Sequence, residues 1–278
     1  MMTQELILSH GASTDVGLRR KVNEDSLLVS HPIYVVADGM GGHAAGDRAS
    51  QAVIATLESL GGRPDLDAAS VSLALDQAHV SVRSISEEIE KGAGSTVTGV
   101  VVVDHDDRAH WLVFNIGDSR VYRLRGAELQ QLTTDHSVVQ QLVDNGVLAK
   151  KDAATYPGRN VITRAVGARD SAADLWLYPV VSGDKIVVCS DGLTNEVTDE
   201  SIRAVLLSNS DAQQSADGLV SRALAHGGRD NVTAVVVQVE SGGIDPELDE
   251  AGRLFARLGA EPDPELEEDT VPRVARHD

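Results

Sequence analysis

The stretch that decides the fold lies at residues 33–50 and has the sequence IYVVADGMGGHAAGDRAS. Its first four residues are apolar or aromatic and predict a short buried strand. We expect this strand to end at Asp38 and Gly39, followed by a glycine-rich loop and a helix. Because Gly39 has no Cβ, the backbone there can come close to whatever the Asp38 carboxylate holds. The stretch therefore predicts a carboxylate fixed in position at the end of a strand.

Two more aspartates occupy similar places in the chain. Asp191 follows the apolar run 186–189, and Asp230 stands just before the apolar run 232–239. Asp-Gly and Asp-Asn pairs taken singly are typical of turns, so the interpretation depends on all three together. Clustered Asp oxygens suit magnesium or manganese, whereas zinc would favour His and Cys. Two divalent ions on three carboxylates would leave one positive charge to attract a hydroxide or a phosphate oxygen.

The composition excludes several classes of protein. A net charge of −19 over 278 residues argues against a nucleic-acid-binding protein, which would carry a basic patch. No apolar run approaches the ~20 residues needed to cross a membrane, and the N-terminus lacks the features of a signal peptide. We therefore expect a cytoplasmic, monomeric protein without a membrane span. The single cysteine, Cys189, is expected to be an inert residue of a buried strand.

The hydrophobic periodicity predicts a mixture of strands and helices. Strands are expected within residues 5–40 and near 96–103, 111–116, 120–124, 128–132, 174–180, 185–189 and 232–239. Helices are expected at 46–60, 67–90, 137–144, 199–207 and 211–226. This order favours an α+β sandwich, in which the strands between 111 and 132 form an antiparallel meander. Residues 136–170 are irregular and polar, which is the composition of a mobile flap.

The chain divides at residue 240 into a predicted catalytic domain, 1–240, and an acidic tail, 241–278. The tail is expected to be disordered or peripheral, with a brief amphipathic turn at Leu254, Phe255 and Leu258. Thr270 lies beside three acidic residues and is a hypothetical phosphorylation site. The alternative is an inert acidic tail, because charged runs are usually only solvated.

Six motifs occur in a fixed order along the chain: GLRRKVNEDS (17–26), VVADGMGGHAAGD (35–47), GSTVTGVVV (94–102), NIGDSRVYRL (115–124), VVCSDGLTN (187–195) and GGRDNVTAVVV (227–237). Together they resemble the metal-dependent Ser/Thr protein phosphatases of type 2C, the PPM family, over roughly residues 5–240. The resemblance is strongest to the short bacterial members that act opposite Ser/Thr kinases. It implies a four-layer αββα sandwich, in which two antiparallel sheets are flanked by helix pairs, with a flap insertion at about 136–170.

The resemblance also implies a reaction. The chain would hydrolyse phosphoserine and phosphothreonine on proteins. Its partners would be phosphorylated proteins, namely a Ser/Thr kinase and the substrates of that kinase. It would use two tightly bound Mn²⁺ or Mg²⁺ ions that share a bridging water or hydroxide, and a weaker third ion. Asp38 would bridge both ions, the Gly39 carbonyl would bind the first, and Asp191 and Asp230 would bind the second.

Other residues receive supporting roles from the same resemblance. Arg20 would hold the substrate phosphate, for which its planar fork of donors is suited. Glu24 and Asp25 would act through metal-bound waters, although a charged surface turn is the simpler explanation of this stretch. Asp118 would hold the third ion together with Asp191. Thr96 and Asn231 match motif positions and are expected to support the ligands.

One position departs from the family pattern. Eukaryotic members carry a His directly after the Asp-Gly pair as the proposed general acid, and this chain has Met40 there, as its bacterial relatives do. A metal-bound water could protonate the leaving oxygen instead, and His43 is expected to make only a local hydrogen bond.

Three other interpretations fit the sequence less well. Residues 39–44 mimic a dinucleotide-binding loop, but Glu58 falls inside the predicted helix and not at the end of a second strand. A catalytically inactive phosphoprotein-binding member of the same fold is disfavoured because Arg20 and the three aspartates are all present. A stress-response phosphoserine phosphatase usually lacks the Arg-x-x-x-Glu-Asp element found at 20–25.

Overall fold

The computed structural model describes residues 5–41, 45–90, 92–245 and 256–258. Its strands, numbered β1 to β12 in chain order, are Ile7–Asp15, Asp25–Ser30, Ile33–Gly41, Ala93–Ser95, Val97–His105, Arg108–Ile116, Arg120–Arg125, Glu128–Gln131, Asp174–Pro179, Lys185–Cys189, Val232–Ser241 and Ala256–Leu258. Its helices, α1 to α6, are Ala45–Leu57, Ala68–Glu87, Val138–Asp144, Asp191–Thr194, Asp199–Ser208 and Ala212–His226. Short 3₁₀ turns cover Glu58–Leu60 and Lys150–Thr155.

The strands form two antiparallel sheets. The first has the order β1-β11-β10-β7-β8, and the second has the order β12-β9-β6-β5-β3-β2 with β4 paired to β3. One apolar cluster lies between the sheets and includes Tyr34, Trp111 and Val188. A second cluster joins the outer face of the second sheet to α1 and α2, and a third joins the first sheet to α5 and α6. These layers confirm the predicted α+β sandwich of two sheets between two helix pairs.

Strand periodicity explains why both faces of these sheets are apolar. Along β3, Ile33, Val35 and Ala37 pack towards the helices. Tyr34 and Val36 instead pack towards the other sheet. Because successive side chains alternate between faces, a strand buried on both sides needs a continuous apolar run. The same alternation directs the next residue of the inner row, Asp38, towards the space between the sheets.

Strand β3 is longer than predicted. It continues to Gly41, so Asp38 and Gly39 lie inside the strand and not after its end. The reason is tertiary: β2 pairs with it through Asp25 and Asp38, and β4 pairs with it on the other side through Gly39 and Ser95. Backbone pairing by two neighbours stabilises an extended glycine that local propensity would assign to a loop.

The predicted meander between residues 111 and 132 is wrong. Strands β5 and β6 form one hairpin and β7 and β8 another, but β6 and β7 belong to different sheets. The chain crosses between the sheets at residues 117–119, where Gly117 has a φ of 112° that disfavours other residues. The Asn115 side chain fixes this crossing by donating to the Gly117 carbonyl at 3.0 Å.

The helices begin where side chains can cap them. Asp67 and Ser70 form a reciprocal capping box at the start of α2, and Thr198 and Asp211 accept from the first turns of α5 and α6. The predicted pairing of the helices, α1 with α2 and α5 with α6, is confirmed by the two outer clusters. Cys189 is fully buried, as expected, and burial raises the pKa of its thiol to about 12. Among the helices in the described part of the chain, none has the length and apolar content needed to cross a bilayer.

The segment predicted as a flap contains α3 and the second 3₁₀ turn. The Thr163 N–H donates to the His136 carbonyl at 2.8 Å, and Val166 forms a bridge with Ser95. The predicted mobility of this segment stays a prediction.

Hydrogen bonds to the domain continue beyond residue 240, and the predicted domain boundary itself stays a prediction. Ile244 exchanges backbone hydrogen bonds with Val180 at 2.8 Å and Ser182 at 3.0 Å, which ties the chain to the domain as far as residue 245. Residues 256–258 form strand β12 beside β9, not the expected amphipathic turn. Leu254, Phe255 and Thr270 lie outside the described residues.

Candidate metal centre

In several strands, the row of side chains that points into the space between the two sheets (the inner row) ends in polar residues at one end of the sandwich. The inner apolar row of β10, Ile186 and Val188, is followed two residues later by Ser190. The inner row of β11 begins at Thr233 and continues with Val235. By the same alternation, β2 places Asp25 there and β3 places Asp38. The site therefore lies where the apolar filling between the two sheets stops.

Asp38 is held through its backbone. Its N–H donates to Thr96 Oγ1 at 3.0 Å, and its carbonyl accepts from Thr96 N at 2.8 Å and from Ser95 Oγ at 3.1 Å. Burial raises the pKa of the Asp38 carboxyl well above its usual value, and neighbouring carboxylates raise it further. These neighbours are Asp25, Asp191, Asp118 and Asp230. Four acidic side chains thus act electrostatically on one buried carboxyl group.

Asp191 is the first residue of the short helix α4. Asn195 donates to its Oδ2 at 2.9 Å, whereas its buried Oδ1 accepts no hydrogen bond from an N–H or O–H group of the described residues. Burial and the charge of Asp230 raise the pKa of Asp191, while contacts with Asp38 and Asn195 oppose the rise. A Cβ on the next residue, Gly192, would lie 1.9 Å from the Asn231 carbonyl oxygen. Glycine at 192 is therefore needed for α4 to approach the loop that carries Asp230.

Asp25 is buried at the centre of the site. Its Oδ2 accepts from Ser190 Oγ at 2.8 Å and from Thr233 Oγ1 at 2.7 Å, which joins the two sheets. Its Oδ1 has no hydrogen-bond partner within the described residues. Burial raises the pKa of Asp25 to about 7 against the two hydrogen bonds that lower it.

Asp118 lies in the turn that crosses between the sheets. Burial, followed by the charges of Asp191 and Asp135, raises its pKa to about 8. The adjacent Ser119 shares a 2.8 Å hydrogen bond with Thr96, the residue that holds Asp38. The turn that carries Asp118 is thereby connected to the strand that carries Asp38.

Arg20 and Asp230 form the exposed side of the site. Arg20 Nη2 lies 2.6 Å from Asp230 Oδ2, and the two side chains are 49% and 35% exposed. Asn231 connects this pair to the interior because its Oδ1 accepts from the Glu24 N–H at 2.8 Å. The Glu24 carbonyl accepts in turn from Gly39 N at 3.1 Å. A guanidinium with solvent access is thereby fixed beside the buried carboxylates.

The residues present fit divalent cations. Buried like charges destabilise one another unless they are protonated or meet a cation, and two of the buried oxygens lack a donor. Across residues 5–41, 45–90 and 92–245, no three acidic, His or Cys side chains converge as a complete ion cage. Magnesium keeps several waters and takes only one or two carboxylates, so a partial donor set suits this type of ion.

The structure brings the predicted residues Asp38, Asp191, Asp118 and Asp230 into one electrostatic cluster. A Cβ on the predicted residue Gly39 would lie 2.0 Å from the Gly46 carbonyl oxygen, so only glycine allows β3 to pack so closely against α1. Met40 pairs with Gly94 of β4, and His43 lies outside the described residues. The ligand roles themselves stay predictions.

Four polar residues of the site are not among those predicted from the sequence: Ser119, Ser190, Asn195 and Thr233. Each of them lies inside a quoted motif. Ser190 and Thr233 could have been found from strand alternation, because Ser190 lies two residues after the inner residue Val188 of β10 and Thr233 two residues before the inner residue Val235 of β11.

Comparison with known proteins points to one family. The sequence profile described as Protein phosphatase 2C matches residues 19–225. Serine/threonine protein phosphatase PstP of Mycobacterium tuberculosis is 39% identical over 238 residues, which cover 84% of this chain and 45% of that protein. This chain therefore spans less than half the length of that relative. Serine/threonine phosphatase stp of Listeria monocytogenes is 32% identical over 244 residues, which cover 81% of this chain and 93% of that protein.

A solved structure shows the same fold. The crystal structure of the catalytic domain of PstP in complex with two manganese ions superimposes with a TM-score of 0.78 at 36% identity. The match covers 85% of this chain and 100% of that one. A profile match to most of the chain, a shared four-layer fold and clustered acidic residues lead to the same assignment. The chain belongs to the protein phosphatase 2C family.

Proposed function

We propose that this chain hydrolyses phosphoserine and phosphothreonine esters on proteins with the help of divalent metal ions. The observation that carries the proposal is the cluster in which Asp25, Asp191, Asp118 and Asp230 all act on the buried carboxyl of Asp38. The relatives are named serine/threonine phosphatases, and one relative's catalytic domain was crystallised with two manganese ions. Both findings support the proposal.

Asp38, Asp191, Asp230 and the Gly39 carbonyl would hold a pair of Mn²⁺ or Mg²⁺ ions. When bound, such a pair lowers the pKa of a water molecule to yield a nucleophile and neutralises charge on the phosphate. The protein's own contribution is to fix these oxygens. Thr96 holds the Asp38 backbone, and Asn195 orients Asp191. Strands β2 and β3, which carry Asp25 and Asp38, pair with each other at these two residues.

Arg20 would bind the substrate phosphate. Its guanidinium is half exposed and lies beside Asp230, so it can offer donors to a phosphate while one nitrogen stays on the carboxylate. Because the Arg20 side chain is 49% exposed, a phosphate on the surface of another protein can reach it. The site is therefore open on the Arg20 side.

Two finer assignments belong to the same proposal. Asp118, together with Asp191, would hold a weaker third ion, and Asp118→Asn should lower activity mainly by loosening that ion, so that turnover requires more Mn²⁺. The physiological substrates would be proteins phosphorylated by Ser/Thr kinases, including a kinase itself. Dephosphorylation of a co-expressed kinase would test the second assignment.

The decisive test is Mn²⁺-dependent hydrolysis of a chromogenic phosphate ester and of a phosphothreonine peptide. We expect both activities in the wild-type protein and neither after Asp191→Asn, because that carboxylate would ligate an ion. The matched control is Asp76→Asn, which removes an exposed carboxylate of α2 and should leave turnover unchanged.

Stability measurements separate loss of a ligand from loss of fold. Without divalent ions, Asp191→Asn should melt no lower than the wild-type protein, because it removes one of several repelling buried charges. With Mn²⁺, it should show a smaller rise in melting temperature than the wild-type protein. Near wild-type turnover of Asp191→Asn would show that the site is misassigned.

A further inference from the structure

A short basic loop borders the proposed phosphate-binding residue. We define the basic loop as residues 18–22, with the sequence LRRKV, in which all five residues are exposed. Three successive cations are unexpected in a chain with a net charge of −19. The loop also exposes two apolar side chains, since Leu18 is 66% and Val22 is 47% accessible. The combination is that of a recognition surface, in which charge and apolar contact occur together.

Backbone contacts hold the basic loop firmly beside Asp230. The Leu18 N–H donates to the Gly228 carbonyl at 2.7 Å. The Asn231 side chain donates to the carbonyls of Val16 and Val22, each at 2.9 Å, and so fixes both ends of the loop. Gly17 adopts a φ of 77°, and a Cβ there would lie 2.2 Å from the Asp230 carbonyl oxygen. The loop is thus pre-organised, which lowers the entropic cost of binding a partner.

The three cations differ in their electrostatic situation. Arg20 is paired with Asp230 at 2.6 Å, and the nearby Arg229 is paired with Glu196 at 2.7 Å. In the part of the chain that the structure describes, Arg19 and Lys21 form no ion pair and no side-chain hydrogen bond. Two positive charges next to the proposed phosphate site are therefore available to a partner.

We propose that the basic loop selects phosphorylation sites that are flanked by acidic residues. With the phosphate on Arg20, Arg19 and Lys21 attract carboxylates one or two positions from the phosphorylated residue. This range follows from the Cα spacing of about 3.8 Å and a screening length of about 8 Å at physiological salt. Leu18 and Val22 add contact with apolar side chains of the same peptide. The proposal rests on the proposed phosphatase activity and names its preferred substrate class.

Two phosphothreonine peptides of equal length test the proposal, one with Glu and one with Gln at the positions that flank the phosphothreonine. We expect the wild-type protein to hydrolyse the acidic peptide with the higher kcat/KM, and the preference to shrink as salt is raised. The double variant Arg19→Glu and Lys21→Glu should lose roughly tenfold in kcat/KM on the acidic peptide, as expected for a few weak exposed charge pairs. Its activity on the Gln peptide and on a chromogenic ester should fall less than its activity on the acidic peptide, because only the acidic peptide carries the flanking carboxylates.

Arg108→Glu is the matched control. Arg108 is exposed in the β5–β6 hairpin, where it pairs with His105 of β5. His105 is eight residues along β5 from Val97, which lies at the end of the strand nearest the site. That separation is roughly 27 Å at ~3.4 Å per residue, well beyond the screening length. The variant has the same type of charge reversal and should keep the wild-type preference for the acidic peptide.

The two peptides distinguish failure of the substrate preference from failure of the phosphatase activity. If the wild-type protein hydrolyses both peptides equally well, the basic loop has no selective role while the phosphatase activity stands. If the protein hydrolyses neither peptide, both proposals are overturned. The milder variant Arg19→Gln and Lys21→Gln should give an intermediate preference, and a preference equal to that of the wild-type protein would also overturn the role of the loop.

Discussion

At the scale of single residues, Arg20 has two possible partners, the Asp230 carboxylate at 2.6 Å and the phosphate of a substrate. Arg20→Ala should raise KM more than it lowers kcat. The loss in kcat/KM should be about 1.5–3 kcal/mol, the value of a hydrogen bond to a charged group. Arg20→Lys keeps the charge without the planar fork and should lose less. An Arg20→Ala variant with an unaltered KM for small phosphate esters would contradict the assignment.

Thr96 is a second residue whose role can be tested singly. Its hydroxyl is buried, accepts from the Asp38 N–H at 3.0 Å and shares a hydrogen bond with Ser119 at 2.8 Å. Thr96→Val keeps the shape but leaves that N–H unpaired, which should lower the free energy of unfolding by about 1–3 kcal/mol. Urea unfolding measures this loss, and Mn²⁺ titration should show weaker binding because Asp38 is less well held.

Thr98→Val is the control for that experiment. Thr98 is also buried and lies two residues further along the chain, in β5, but its hydroxyl donates to the Phe114 carbonyl over a longer distance of 3.3 Å. Its removal leaves no N–H group without a partner, so the loss of stability should be smaller. Equal losses in the two variants would argue against a special role for Thr96.

At the scale of elements, helix α4 carries Asp191 towards the loop that carries Asp230 and Asn231. Gly192→Ala would place a Cβ 1.9 Å from the Asn231 carbonyl oxygen, so the helix and the loop must separate. We expect a loss of about 1–3 kcal/mol in unfolding free energy from this overpacking. Manganese-dependent turnover should fall as well, since two proposed ligands move apart.

A second glycine inside a helix is the control for α4. In Gly218→Ala of α6, the nearest contact of the new Cβ would be a Val205 methyl group at 3.1 Å, which can shift. Because Ala favours a helix over Gly by up to ~1 kcal/mol, this variant should match or exceed the wild-type melting temperature. If Gly192→Ala retains full turnover, the contact between α4 and the loop does not position the ligands.

At the scale of the whole molecule, the extent of the domain can be measured by truncation. A chain of residues 1–245 keeps the hydrogen bonds that join Ile244 to Val180 and Ser182, whereas a chain of residues 1–240 loses both. At ~0.5–1.5 kcal/mol for each bond, the shorter chain should melt roughly 2–12 °C lower. Both should hydrolyse a chromogenic ester, because the hydrogen bonds of the site come from residues up to Thr233. Equal melting temperatures of the two chains would show that the folded domain ends at residue 240.

The sequence predicted the strands and helices of the sandwich because local periodicity marks these elements, whereas the four layers were implied by the family resemblance. Alternating or continuous apolar runs marked β3, β5, β10 and β11, and a three-to-four residue spacing marked the helices. The strand order β1-β11-β10-β7-β8 was not predictable in this way, because it pairs segments more than two hundred residues apart. The misplaced meander has the same cause, since a short turn between β6 and β7 looks identical whether the strands pair or separate.

By itself, the sequence determined that acidic residues stand beside buried strands and that Arg20 lies in a basic stretch. Only the tertiary structure decided which of them share one environment. Asp25 accepts hydrogen bonds from Ser190 and Thr233, which lie 165 and 208 residues away along the chain, and these contacts join the two sheets. Local propensity acts over a few residues, whereas the packing of one sheet on another brings the ends of distant inner rows to one place. The sequence therefore specified the chemistry of the side chains, and the packing of the sheets specified their meeting point.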